Sequence, residues 1–215
     1  MSGVRVNIWG PPLWKLLHTI SFSSPHYIKT HSSNVVLFIE NFKHLLPCKA
    51  CRESFSVFLA QLPPLQEAIE TGELALWMYN LHKKVNDKLG LPTPSFEKIV
   101  QRYVVRPVQW SSHDIWDVIC SFGLNYTAAR EVYYAKFWAL LPIVVRFGED
   151  VDLRVARLVQ GIHRCPANAL EFITTALMLE AYHENKPSPS ESYIKLRAQR
   201  FQAALASGCS STTCR

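Results

Sequence analysis

The apolar residues of this 215-residue chain recur at the three- and four-residue spacing of an amphipathic helix, and this period is the strongest constraint on its fold. The clearest example spans 73–89 and stops at Gly90, a residue that favours helix ends. Its apolar members are Leu74, Trp77, Met78, Leu81, Val85 and Leu89. The first 105 residues contain no convincing strand-like alternation of apolar and polar residues. The pattern predicts an all-α protein.

Proline, glycine and capping residues divide the first half of the pattern into helices. The predicted segments are 11–22, 34–46 with Asn34 as N-cap, a helix that begins at a cysteine pair and ends before Pro63, 73–89, and a short 95–104 capped by Ser95. Four helices and a short fifth helix form a small bundle, in which binding sites lie between facing helices.

The second half is again helical in pattern, so we predict a second all-helical region after the bundle. Its candidate helices are 112–121, 127–141, 150–163, 166–183 and 190–206. The last nine residues are small and polar, as is typical of a flexible tail. We therefore divide the chain into 1–107, 108–206 and 207–215.

The chemistry is predicted at Cys48 and Cys51, which are separated by two residues. Such a pair can close a small disulfide ring and so accept and return two electrons. Pro47 ends the preceding apolar run and helical spacing restarts at Arg52, which places the cysteines at a helix N-terminus. Unpaired amide groups there, helped by Lys49 and Arg52, lower the thiol pKa from about 8.5 and favour the thiolate that attacks disulfides.

The same cysteines could instead be half of a zinc site, because zinc normally takes four Cys or His ligands. A second close cysteine pair with suitable spacing is missing from their neighbourhood. The zinc alternative therefore needs Cys48, Cys51, His44 and a tail cysteine together, and we predict no metal site.

Composition limits the remaining classes of function. With 48% apolar and 12% aromatic residues, the chain can form a packed core. Its net charge of +6 is spread without a block of like charges, which argues against nucleic-acid binding. The most apolar segment, 137–145, is shorter than the roughly 20 residues of a membrane span, and no secretory signal follows Met1. We expect no membrane span and a cytoplasmic location, where catalytic disulfides tolerate a reducing environment.

Three motifs occur in a fixed order: WGPPLWKLLH at 9–18, PCKACR at 47–52 and WMYNLHKKVNDKLG at 77–90. Together they resemble the Erv/ALR family of FAD-linked sulfhydryl oxidases, over roughly residues 8–105. Arg52 and the helical extension resemble most the members carried by large DNA viruses. In that setting the location would be the cytoplasm of a host cell, including virus assembly sites or the virion.

The resemblance implies a four-helix bundle plus a short fifth helix that holds FAD beside the cysteine pair. It places Cys51 next to the flavin and makes Cys48 the outward-facing thiol that exchanges with clients. The implied cofactor-binding residues are Trp14, Lys15, His18, His82, Val85, Asn86, Lys88, Arg102 and Tyr103. Their chemistry agrees, because aromatic faces stack on flat rings while His, Asn and cationic groups bond ribose and phosphate oxygens.

The implied activity is oxidation of dithiols in client proteins or a thioredoxin-like carrier, with molecular oxygen reduced to hydrogen peroxide. Cys209 and Cys214 resemble the shuttle pairs that some family members carry on flexible ends, which would add them to the catalytic cysteines. The resemblance also implies a homodimer. The alternative is a redox-inactive bundle whose C-terminal region serves as a binding platform for a partner.

One departure from the family pattern concerns a structural disulfide that many members carry after the fourth helix. The matching positions here are Tyr79 and Phe96, so that bond is absent. We expect packing between the two rings in its place.

Overall fold

The computed structural model describes residues 6–105, 112–123, 126–144 and 168–205, and in these ranges the protein is all-α, without a strand. The predicted fold class is confirmed. The helices are α1 (Val6–Ser21), α2 (Pro25–Thr30), α3 (Ser32–Leu45), α4 (Lys49–Ala60), α5 (Leu65–Glu70), α6 (Leu74–Leu89), α7 (Phe96–Val100), α8 (Ser112–Gly123), α9 (Glu131–Val144), α10 (Ala169–His183) and α11 (Glu191–Leu205). In these ranges we find no helix with the length and apolarity needed to cross a membrane.

Two helix starts differ from their predicted positions. Helix α1 begins at Val6, five residues before the predicted start at Pro11, so Pro11 and Pro12 lie inside the helix. Helix α3 begins at Ser32 with His31 as its N-cap, so the assignment of Asn34 as N-cap is wrong. The short helices α2 and α5, of six residues each, were not predicted because a six-residue segment is too short to show a helical period.

The predicted signals around α6 and α7 are confirmed. Gly90 closes α6 in the left-handed conformation with a φ of 67°, which glycine adopts without a steric cost. The Ser95 hydroxyl caps α7 by accepting from the Lys98 amide. The chain then continues as a π-helical turn, Gln101–Val105, which carries two of the predicted site residues.

The described C-terminal helices correspond to predicted segments but begin or end at other residues. Helix α9 follows a 3₁₀ turn at Ala128–Arg130 and runs through Pro142 to Val144, so Pro142 does not end it as expected. Helix α10 begins at Ala169 with Asn168 as its cap. The predicted helix at 150–163, the division near 107 and the tail at 207–215 lie outside the described residues.

The C-terminal helices pack directly on the N-terminal ones. Helix α8 lies against α1, and α9 lies against α3. The Phe38 ring is 5.6 Å from Phe137 of α9, and the Phe42 ring is 5.7 Å from Phe122 of α8, measured between centroids. All four rings are essentially inaccessible and belong to one hydrophobic cluster, so the two segments share a core.

Tyr79 and Phe96 meet as the sequence predicts. Their ring centroids are 5.4 Å apart at an interplanar angle of 56°, and the Tyr79 hydroxyl donates to the Pro94 carbonyl at 3.1 Å. This contact ties α6 to the start of α7, the connection that leads to the π-helical turn.

We predict that Tyr79→Ala lowers the free energy of unfolding by about 1–2 kcal/mol, because it removes both the ring contact and the hydrogen bond. Tyr79→Phe keeps the ring and should cost about 0.5–1 kcal/mol. Denaturant unfolding of the two variants measures both values. Equal losses in the two variants would show that the ring contact contributes nothing.

Candidate redox and cofactor site

Cys48 and Cys51 lie at the N-terminus of α4, as the sequence predicts. Helix α3 ends at Leu45, and Cys48 is the N-cap of α4 with extended backbone angles of φ −102° and ψ 128°. The Arg52 amide donates to the Cys48 carbonyl at 3.0 Å, which is the first hydrogen bond of the helix. The first amides of a helix have no carbonyl of a preceding turn to bond. Here the amides of Ala50 and Cys51 bond the Cys48 sulfur instead.

The two thiols share one proton. A hydrogen bond from Cys51 lowers the pKa of Cys48 to about 6, although burial opposes the shift, and the backbone amides of Cys51 and Ala50 and the charge of Arg52 also contribute. The same hydrogen bond, together with burial, raises the pKa of Cys51. At neutral pH the reduced pair therefore consists of a Cys48 thiolate and a Cys51 thiol.

The exposure of the two sulfurs corrects one expectation. The Cys48 side chain is 3% exposed and belongs to the hydrophobic core, whereas Cys51 is half-buried. Cys48 therefore does not face outward as expected, because it packs into the hydrophobic core cluster.

Lys88 of α6 lies beside the cysteine helix. Its ammonium group donates to the Ser54 hydroxyl, and its charge favours the thiolate form of Cys51. The Ser54 hydroxyl in turn donates to the Ala50 carbonyl at 2.7 Å. Sequence reasoning missed Ser54, because a serine one turn into a helix carries no signal of its own.

Two histidines from different helices form the centre of a second cluster. His18 Nε2 of α1 and His82 Nδ1 of α6 share a hydrogen bond of 3.0 Å across 64 residues of sequence. The Trp14 indole stacks on the His82 ring with centroids 3.9 Å apart and an interplanar angle of 9°. The structure thus brings together three residues that the sequence assigned to one pocket.

The π-helical turn adds an aromatic wall to this cluster. The Tyr103 ring lies 5.3 Å from His18 and stacks on Phe22 at 5.6 Å, while the Arg102 guanidinium is 5.9 Å from the Tyr103 ring. Phe22 was not assigned to the site from sequence, although it follows His18 by one helical turn and so lies on the same face.

Both histidines are neutral at physiological pH. Burial, then the charges of His82 and Arg102, lower the pKa of His18 to about 3. Burial lowers the pKa of His82 to about 4. One ring nitrogen of each is used in their mutual bond, and His18 Nδ1 is buried without a hydrogen-bond partner. A buried polar atom of this kind costs free energy until a ligand or water bonds it.

The remaining predicted site residues lie around these groups. Val85 is half-buried, three residues after His82 and three before Lys88, and therefore lies between them on α6. Asn86 is buried and donates to the Thr93 hydroxyl at 3.3 Å. Lys15 is half-buried beside Trp14 on α1. Cys209 and Cys214 lie outside the described residues.

The described residues contain no group of three His, Cys, Asp or Glu side chains placed to hold a metal ion. The His44 ring instead stacks on Tyr133 of α9 with centroids 3.6 Å apart. The tail cysteine that the zinc alternative requires lies outside the described ranges.

The structure thus combines a cysteine pair at the start of α4 with a cluster of aromatic rings and histidines between α1 and α6. Residues 11–104 match the model of the Erv1/Alr family.

Three relatives have names of one kind. The mitochondrial FAD-linked sulfhydryl oxidase of Saccharomyces cerevisiae is 33% identical over 84 residues, which cover 39% of this chain and 43% of the yeast protein. An FAD-linked sulfhydryl oxidase of African swine fever virus, from a Kenyan pig isolate, is 25% identical over 49% of this chain and 91% of its own length. A protein of Invertebrate iridescent virus 3 with the same activity provisionally assigned is 25% identical over 46% of this chain and 67% of its own length.

The chain thus spans less than half of the yeast relative, but most of each viral one. No solved structure matches the chain significantly. The match to the family model ends at residue 104, in the π-helical turn, so helices α8–α11 lie outside it.

We predict that Cys48 in the reduced protein is alkylated with a pH midpoint near 6, because only the thiolate reacts. Burial slows the reaction at every pH but leaves the midpoint in place. Cys51→Ala removes the hydrogen-bond donor and should shift the midpoint upward, and Cys51→Ser, which retains a hydroxyl donor, should shift it less. Mass spectrometry of the Cys48 peptide gives the rate at each pH, and a midpoint indifferent to Cys51→Ala would contradict the shared proton.

Proposed function

We propose that the chain is an FAD-dependent sulfhydryl oxidase, which forms disulfides in client dithiols and reduces oxygen to hydrogen peroxide. The observation that carries the proposal is the placement of Cys48 and Cys51 at the start of α4, within a segment that matches the Erv1/Alr family. The intact pair and the histidine pocket beside it give no support to a redox-inactive scaffold.

The pocket residues fit FAD. Trp14 and Tyr103 offer aromatic faces to a flat ring system, and the unpartnered His18 Nδ1 offers a buried hydrogen-bonding atom. His82, Val85 and Lys88 present a continuous face of α6 beside them, and Lys15, Asn86 and Arg102 add polar groups at the edges of the cluster. When bound, FAD would take two electrons from the dithiol and pass them to oxygen.

The chain's own cysteines carry out the exchange with a client. A client thiolate attacks Cys48 Sγ and breaks the Cys48–Cys51 bond, and Cys51 takes up a proton. The second client thiolate then attacks the client sulfur of the mixed disulfide, which forms the client disulfide and releases Cys48 as a thiolate. The lowered pKa of Cys48 makes it a good leaving group in this second step. Two electrons move from the client to the enzyme dithiol.

Because Cys48 is 3% exposed, the first attack requires the side chains that cover its sulfur to move aside. Lys88 lies on the Cys51 side of the pair, and Arg52 acts on both sulfurs. This arrangement supports a role for Cys51 on the α6 side, facing the pocket, and for Cys48 on the side of the client.

Three further parts of the proposal concern partners and place. Cys209 and Cys214 pass electrons from protein clients or a thioredoxin-like carrier to Cys48. The chain forms a homodimer, which would need a surface other than those parts of α1 and α3 that α8 and α9 cover. The viral relatives support a location in the cytoplasm of a host cell.

The activity is tested with the purified chain and dithiothreitol, a small dithiol. We expect a yellow protein that consumes one oxygen and forms one hydrogen peroxide per disulfide. Cys48→Ser and Cys51→Ser should each abolish turnover and retain the yellow colour, because the cysteines are not expected to hold the cofactor. A colourless protein with no turnover would refute the proposal.

The pocket is tested by His18→Ala. Loss of His18 removes the bond to His82 and the buried Nδ1, so bound flavin per protein should fall markedly after gel filtration. His26→Ala on α2, an exposed histidine, serves as the control and should retain full flavin. Flavin absorbance relative to protein concentration gives the comparison, and full retention in His18→Ala would remove this residue from the pocket.

The tail is tested by the double variant Cys209→Ser and Cys214→Ser. We expect turnover of a reduced protein client to fall, whereas turnover of dithiothreitol stays the same, because a small dithiol reaches Cys48 without a carrier. If the double variant oxidises both substrates as fast as the parent chain, the tail pair is not a shuttle.

A further inference from the structure

Cations from both halves of the chain lie beside the segment that leads into the cysteine pair. We call Arg52 of α4, Arg130 of the 3₁₀ turn and Lys136 of α9 the basic rim. Arg52 and Arg130 are half-buried and Lys136 is exposed. Two of the three residues come from the region outside the family model, so the rim is a feature of this chain.

Hydrogen bonds fix both arginines to the backbone just before Cys48. The Arg52 guanidinium donates to the Leu46 carbonyl at 2.6 Å, and the Arg130 guanidinium donates to the His44 carbonyl at 3.1 Å. Arg52 follows Cys48 by one helical turn and acts electrostatically on its thiolate. The rim therefore begins next to the sulfur that receives the client.

Helix α9 is anchored at the same place. The His44 and Tyr133 rings stack with centroids 3.6 Å apart, and the Asn41 side-chain amide donates to the Tyr133 carbonyl at 2.8 Å. Lys136 follows Tyr133 by about one helical turn, which places its ammonium group on the same side of α9. The position of Lys136 relative to His44 is thus set by contacts between buried or half-buried groups.

The local charge is positive. The pKa of His44 is lowered first by burial and then by the charges of Lys43, Lys136, Arg130 and Arg52. This ring is therefore neutral, and four cations act on it. Of the carboxylates nearby, Glu40 pairs with Lys43 at 3.9 Å and Glu53 pairs with Lys49 at 3.6 Å, while Glu131 is exposed next to Arg130. Within the part of the chain that the structure describes, the three rim cations outnumber Glu131, the carboxylate that adjoins them outside these pairs.

We propose that the basic rim binds an acidic segment of the client, a stretch of Asp and Glu residues within a few positions of the cysteine that attacks Cys48. This inference rests on the proposed oxidase function and deepens it. It assigns to α9 the selection of clients by charge. Complementary charges beside a reactive group raise the rate of encounter and exclude partners of the wrong sign.

The chain's own tail does not fit this surface by charge. Residues 207–215 contain no Asp or Glu and include Arg215. A nucleic acid fits less well than a peptide, because the three cations adjoin a dithiol rather than follow a long basic track, and the chain's other charges are dispersed.

The test compares two reduced dithiol peptides of equal length, one with Glu and one with Lys on either side of the cysteines. The full chain should oxidise the Glu peptide with the larger kcat/KM, and the preference should shrink as salt is raised. Lys136→Glu should lower kcat/KM for the Glu peptide roughly 3- to 10-fold and raise it for the Lys peptide, since an exposed ion pair is weak and the variant reverses its sign. Turnover of dithiothreitol should not change in this variant.

Lys29→Glu is the matched control. Lys29 is an exposed lysine on α2. Helix α3, which begins three residues later and spans about 20 Å, separates it from His44. The Lys29→Glu variant changes the net charge by the same amount as Lys136→Glu. Lys29 itself lies farther from His44 than the Debye length of roughly 8 Å at physiological salt. Equal effects of Lys29→Glu and Lys136→Glu would overturn the rim as a docking surface.

Two other outcomes would also decide the matter. If the chain turns over dithiothreitol but shows no preference between the peptides, the acidic-client inference fails and the oxidase function stands. If a single-stranded oligonucleotide binds through Lys136 while the peptides are used equally, the rim serves nucleic acid instead. Absence of turnover with dithiothreitol as well would count against the oxidase function itself.

Discussion

The hydrogen bond between Cys51 and Cys48 is the interaction on which the candidate site depends, and it exists because α3 and α4 are separate helices. Pro47 lacks an amide hydrogen and disfavours helical angles in the residue before it, so the chain breaks after Leu45 and resumes at Lys49. The break leaves Cys48 as the cap, where the first amides of α4 and the Cys51 thiol converge on one sulfur. A continuous helix would have used those amides internally, and both thiols would titrate near the ordinary value.

The histidine pocket depends on a different kind of constraint. Burial between α1 and α6 keeps His18 and His82 uncharged, and two neutral imidazoles can share a hydrogen bond where two imidazolium ions would repel. The tryptophan stacked on His82 and the tyrosine near His18 line the same region with aromatic rings. The pocket is thus arranged for a ligand that is flat, apolar over its faces and able to hydrogen-bond at an edge.

Local signals in the sequence predicted much of this arrangement. The spacing along α6, Gly90 as its end and Ser95 as the cap of α7 each report on a few neighbouring residues, and the structure agrees with them. The resemblance of three motifs to the Erv1/Alr family predicted that Trp14, His18 and His82 lie in one pocket, and the structure places these three residues in contact. The stack of His44 on Tyr133 and the link from Lys88 to Ser54 could not be predicted, since both join residues far apart in sequence that form no motif. Asn34 is not a cap, because the N-cap of α3 is His31, three residues earlier. That start could not be predicted, since the preceding helix α2 is too short to show a helical period.

The shared core of the two halves has a consequence for how this protein can be divided. Phe38 and Phe42 of α3 are buried by rings from α8 and α9, helices that lie beyond the segment matched to the family. A fragment that ends at the family boundary would present those phenylalanines to water and would lose the arginine that bonds the backbone beside Cys48. The smallest piece of this chain that keeps these contacts around its cysteine pair is therefore larger than the segment that matches the family model.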